Sequence, residues 1–346
     1  MMKKILLFVA AMIATTASFA QSHNVVTLTH EGNVQAFYGL SAFADAIAAA
    51  DNGDYVTLSS GTFNGTTIDK AVNIRGAGMW DDATDPENII SQTILEGNLN
   101  FKIPEEVTQS FSMEGVFVKG VTYTENWLRN ASFTKCYFNS LSSGRKKFKN
   151  VTFLNCYLMG YKSNLFELDE NGSSIVAVNC YIQYFNTNHS NKINCSADII
   201  NCYLLGAFEL FQYCYIRNSI LSHVSFNHPY YTEYNVLPST TTCYNCVAGY
   251  VNANSNYETT WFKNSKGSGN TALSTVEGLT TDDYKLTDEA AAQYLGTDGT
   301  QVGMYGGSSP FTAIPNYPRI KKLHVAQPQD GKIKVDIAVS SESAGE

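Results

Sequence analysis

The sequence predicts an all-β chain: a parallel β-helix, or solenoid, closed by an N-terminal capping helix and followed by a C-terminal β-hairpin. Three observations carry this prediction. A short motif recurs about every 22 residues through the middle of the chain, each copy sits in a run of β-branched and aromatic residues, and glycine, asparagine and serine clusters separate the runs. A recurrence of that length marks one turn of a solenoid, because each unit is too small to bury its apolar face except against its neighbours.

The chain opens with Lys3 and Lys4, an apolar stretch from Ile5 to about Ala14, and small residues ending at Ala20. Residues 1–20 thus read as a secretory signal peptide cut after Ala20, and the mature protein is expected to be exported: extracellular, periplasmic or associated with the cell surface. The apolar core is shorter than the roughly 20 residues of a membrane span, and no later segment approaches that length. Loss of two lysines with the leader takes the formal charge from −8 to −10. That acidic balance argues against nucleic acid, whose phosphates demand concentrated positive charge.

The front cover comes next. After a strand at Val25 to Thr29, the segment Ser41 to Ala50 combines strong helix formers with an apolar stripe through Phe43, Ala46, Ile47 and Ala50, and Ser41 is placed to cap it. Asp51-Asn52-Gly53-Asp54 ends the helix in a turn, and Tyr55 to Leu58 begins the first coil.

The repeat itself is Lys135-Cys136-Tyr137, Asn155-Cys156-Tyr157, Asn179-Cys180-Tyr181, Asn201-Cys202-Tyr203, Asn218-Ser219-Ile220 and Asn245-Cys246-Val247. Parallel strands that recur once per coil stack roughly 4.8 Å apart. Stacking sets the cysteines in an inward column of free thiols, small enough for a narrow core. Cβ atoms at strand spacing are too far apart for a disulfide, which prefers about 3.8 Å. Cys195, Cys214 and Cys243 fall off the column and are the better disulfide candidates. The asparagines are expected at a bend or on the opposite face, with amides bonding up and down the stack.

The β-helix and its cap are expected over 21–310. From 311 to 346 the texture changes: Ile333, Val335, Ile337 and Val339 alternate with Lys332, Lys334, Asp336 and Ala338 after Asp330-Gly331, a hairpin signal. Such a hairpin would lie on the back end of the solenoid or begin a small appended unit.

Several of these segments resemble a family. Leu40 through Gly61-Thr62-Phe63-Asn64, then Val72-Asn73-Ile74-Arg75-Gly76 and Thr93-Ile94-Leu95-Glu96-Gly97, look like the opening of pectate-lyase-like right-handed parallel β-helix proteins. Gly296 to Gly307 is similar to the last coil of exported β-helix proteins common in Bacteroidetes. The resemblance implies a right-handed helix. For the enzymes of that fold it implies a calcium-binding acidic cluster and a basic residue that removes a proton beside a uronate carboxyl.

Candidate chemistry is local. Asp81, Asp82 and Asp85, in the loop after Trp80, supply hard oxygen atoms suited to calcium. Arg145, Lys146 and Lys147 concentrate positive charge that would attract an anionic glycan, and the lysines are candidate bases. His228, Tyr230, Tyr231, Glu233 and Tyr234 form an aromatic loop suited to a polysaccharide or cell-surface glycan, since rigid rings offer contact area at low entropic cost. Arg319-Ile320-Lys321 matches a polygalacturonase motif, without the paired aspartates and Gly-His-Gly that accompany it there. No complete catalytic motif is legible. A non-catalytic glycan-binding or surface structural module is therefore the first expectation, a lyase or hydrolase of acidic polysaccharide the second, and an adhesin-like protein the third.

Overall fold

The computed structural model describes residues 24–80, 92–141, 148–160, 166–167, 172–183, 185–186, 196–205, 213–222, 241–249, 267–273, 276–280, 283–317, 319–325 and 335–340. It is a parallel β-helix. An eleven-stranded sheet, here sheet A, runs from Asn33–Tyr38 through Val25–His30 and Tyr55–Leu58 to Thr242–Tyr244, and a twelve-stranded sheet, sheet B, runs from Gly61–Asn64 to Thr271–Leu273. Successive coils place parallel strands in register. In sheet A, Val56, Ile74, Met113, Phe133, Phe153, Ala177, Ile199, Ile216 and Cys243 form one inward column, and all are buried. Sheet B answers with Val118, Phe138, Leu158, Ile182, Leu204, Leu221 and Ala248. Each such aliphatic or phenyl side chain contributes roughly 1.5–3 kcal/mol on full burial.

The recurring motif is the corner between the sheets. Lys135, Asn155, Asn179, Asn201, Asn218 and Asn245 all have φ between 47 and 53°. Asparagine is the non-glycine residue that adopts this left-handed conformation most readily, which explains its recurrence there. Each bend residue donates its N–H to the next coil, as from Asn155 to Val178 O (3.0 Å). The following cysteine's N–H is left without a backbone acceptor, and the sulfur of the next coil takes it: Cys136 N to Cys156 Sγ 3.5 Å, Cys156 N to Cys180 Sγ 3.4 Å, Cys180 N to Cys202 Sγ 3.4 Å. Ser219 does the same for Cys202 at 3.0 Å. Burial pushes the thiols of Cys156, Cys180 and Cys202 well up from the ordinary range, so these three are uncharged.

Cys214 and Cys243 correct the disulfide expectation, because both are buried thiols outside any disulfide. Register explains this: Cys243 stands opposite Ile216, two residues along from Cys214, which separates their Cα atoms by about 8 Å, beyond disulfide reach. Cys195 lies outside the described residues.

The front cover is the helix Ala42–Ala49, whose Ala42, Phe43, Ala46 and Ile47 are buried against the first strands of both sheets. Ser41 does not cap it through its side chain. The helix is instead tied at its other end, where Lys70 Nζ donates to Ile47 O and Ala48 O, both at 3.0 Å. The front also holds a strand the sequence did not announce, Asn33–Tyr38, which pairs antiparallel with Val25–His30.

The largest departure concerns residues 294–317. Gly296 to Gly307 belong to neither sheet and form no coil. They continue into a strap that runs back along the corner column, from the last coils to the first. Asn245 Nδ2 donates to Leu295 O (3.2 Å), Asn218 Oδ1 accepts from Thr297 N (2.9 Å), and Asn179 Nδ2 donates to Met304 O (2.8 Å) and Gly306 O (2.7 Å). Lys135 Nζ then reaches Ile314 O (2.5 Å) and Asn316 Oδ1 (2.7 Å), and the Tyr317 hydroxyl donates to Gly76 O. These amides therefore hold the strap sideways and do not bond along the stack. Gly307 shows how close the strap lies: a Cβ there would come within 2.1 Å of the Asn201 amide.

Arg319–Val325 and Val335–Ser340 pair antiparallel as a separate two-stranded sheet, the expected hairpin. Its first strand begins two residues after Tyr317, beside the front coils, so its start does not sit at the back end.

Candidate functional site

The residue after each corner cysteine begins a strand of sheet B and faces outward. In register these are Phe117, Tyr137, Tyr157, Tyr181, Tyr203, Ile220 and Val247. The four tyrosines stack face to face along the helix, with ring centroids 5.8, 4.7 and 5.7 Å apart. The returning strap covers this column. Val302, Met304, Phe311, Leu286 and Tyr294 pack on it to form a second apolar core outside the solenoid.

At the front of this covered face the strap stands away and leaves a cavity of about 400 Å³, lined by Trp80, Tyr137, Tyr157, Met159, Tyr181, Asp283, Tyr284 and Tyr305. Its volume lies within the roughly 300–1,000 Å³ of small-ligand sites. Trp80 meets Tyr157 edge-on at 4.6 Å, and Tyr284 lies over Tyr181 and Tyr203 at 4.8 and 4.6 Å. Tyr284 holds φ at 58°, a conformation costly for a bulky residue and therefore maintained by its surroundings. Those surroundings are specific. The Thr280 hydroxyl donates to Asp283 Oδ1, Lys285 N donates to the same oxygen at 3.2 Å, and the Tyr305 hydroxyl donates to Asp283 O at 3.1 Å.

The hydroxyls of Tyr137, Tyr157, Tyr181 and Tyr305 are kept neutral. Burial raises Tyr137, Tyr157 and Tyr181 above the ordinary phenol value, with the charge of Asp283 adding to the effect at Tyr157. Burial, and then Asp283, push Tyr305 up to about 12. The lining therefore presents aromatic faces, protonated phenols that can donate, and one carboxylate. Hydrolysis of a glycosidic bond ordinarily requires two carboxyl groups across it.

Asp81, Asp82 and Asp85, Arg145, Lys146 and Lys147, and His228, Tyr230, Tyr231, Glu233 and Tyr234 all lie outside the described residues. What sequence reasoning passed over was the tyrosine of the Cys-Tyr pairs: it was visible as part of the repeat, but its outward direction and its cover were not. Among the described residues, one group has metal-ligand geometry, His30, Asp51 and Asp54, with ligand atoms within 4.8 Å of one another. Asp54 is already engaged there, through Oδ1 with His30 Nδ1 at 2.9 Å and through Oδ2 with Asp51 N at 2.8 Å. We read the group as a clamp between the first strand and the first coil.

Fold and site together define a parallel β-helix whose lateral strap encloses an aromatic pocket. Compared with protein families, with characterised proteins and with solved structures, the chain matches none. Among the described residues, no helix is long and apolar enough to cross a membrane.

Proposed function

We propose that this is an exported β-helix protein that binds a glycan in the pocket between sheet B and the strap, without cleaving it. The observation that carries the reading is the pocket itself: among the described residues, six aromatic side chains and one carboxylate stand around about 400 Å³. Aromatic faces pack against the C–H faces of sugar rings with little loss of side-chain entropy, while phenol hydroxyls and a carboxylate satisfy ring hydroxyls. The preset loop around Asp283 and Tyr284 supports it further, because ordering costs already met in the free protein are not charged to binding. Export rests on the leader-like residues 1–20, and the kinship to pectate-lyase-like helices remains a reading of the opening coils.

The test is a glycan-array screen of the protein lacking residues 1–20, run alongside uronate polymers while absorbance is followed for unsaturated product. Binding without product is expected. Trp80→Ala should weaken that binding by about tenfold or more, equivalent to roughly 1.4 kcal/mol or more, whereas Tyr215→Ala, on the outer face of sheet A, should leave it unchanged. Product formation, or binding indifferent to Trp80→Ala, would refute the proposal.

A further inference from the structure

We infer that the pocket selects uncharged sugar residues and rejects uronates, with Asp283 as the selecting residue; the inference rests on the glycan-binding reading above. Among the eight described lining residues, Asp283 is the single charged side chain. It has no salt-bridge partner among the described residues. Among the described residues its side-chain bonds, from Thr280 Oγ1 and Lys285 N, both use Oδ1. Oδ2 is thus left to accept from a ligand.

The chemistry is asymmetric. A carboxylate accepts hydrogen bonds and donates none, so it pairs readily with the hydroxyls of a neutral pyranose. A uronate brings a second carboxylate into the same partly desolvated space, where none of the described lining residues is a cation to offset the repulsion, and like charges close together at low effective dielectric repel strongly. The chain as a whole, at −8, also lowers the local concentration of polyanions. The basic run at Arg145 to Lys147 favoured an anionic glycan on sequence grounds; the charge of the pocket favours the opposite class.

The experiment is calorimetric titration of the protein with gluco-, galacto- and manno-configured tetrasaccharides and with the corresponding uronate tetrasaccharides, at low and high ionic strength. A neutral ligand should bind about tenfold or more tighter than its uronate counterpart at low salt. Added salt should narrow the gap in the unmodified protein. Asp283→Asn retains the Oδ1 acceptor that holds the loop, and circular dichroism would verify its fold; in this variant the gap should shrink to within about threefold. Equal or tighter uronate binding, or a gap unchanged by both salt and Asp283→Asn, would overturn the selectivity alone. Absence of binding to any sugar would overturn the glycan reading, and the selectivity with it.

Discussion

Replacing Cys180 tests the corner column directly. Its Sγ accepts from Cys156 N at 3.4 Å and shares its one proton between Val178 O at 3.2 Å and Phe153 O at 3.5 Å, and the residue is fully buried. Cys180→Ala removes the acceptor and strands a buried N–H, which costs about 1–3 kcal/mol. It also leaves a void close to the size of a methyl group, worth about 1 kcal/mol more. The expected loss is therefore about 2–4 kcal/mol. Cys180→Ser should cost about 1 kcal/mol or less, because a serine already fills this role one coil beyond Cys202, accepting from Cys202 N at 3.0 Å and donating to Arg217 O at 2.8 Å. Urea unfolding would compare the two variants, and hydrogen exchange would follow the Cys156 amide, which should lose protection in Cys180→Ala and keep it in Cys180→Ser. Equal destabilisation by alanine and serine, or an unchanged Cys156 amide in the alanine variant, would refute the assignment of the sulfur as that amide's acceptor.

Other consequences follow from the same geometry. The described thiols are buried and outside any disulfide, and burial raises those of Cys156, Cys180 and Cys202, so an aromatic disulfide reagent should titrate these three only as the protein unfolds. Asn179→Gly suits the left-handed bend but discards the bonds to Met304 O and Gly306 O, and should raise exchange in the strap near residues 304–306 while the sheets stay protected. Tyr203 and Tyr305 are pushed up to about 12, chiefly by burial. An unfolded tyrosine ionises near 10, so their stabilising contribution is complete below about pH 10 and is lost as pH rises towards 12. Denaturation midpoints should fall over that window, and Tyr305→Phe should reduce the fall. The hydrogen bond to Asp54, with that residue's charge, raises His30 above its ordinary value, so its contribution is present below about pH 6.5 and fades as pH rises through the raised value. A His30→Gln variant should flatten the pH dependence of stability there.

The repeat was legible because it is local. Cys136 to Cys246 recur with strand-forming neighbours, and strand spacing alone dictated an inward column of free thiols. The front helix was legible for the same reason, from the stripe Phe43, Ala46, Ile47 and Ala50. The strap was not, because residues 294–317 carry no periodicity of their own and are held by partners such as Asn218, 79 residues away, and Gly76, 241 residues away. The pocket shares that origin. Trp80, the tyrosines of three coils and the Asp283–Tyr305 stretch meet only because the chain doubles back along the outer face of sheet B. Sequence by itself thus determined the stack, whose contacts repeat between neighbouring coils. Tertiary structure alone decided the site, since a single long return of the chain turned a row of outward tyrosines into a covered core with one open end.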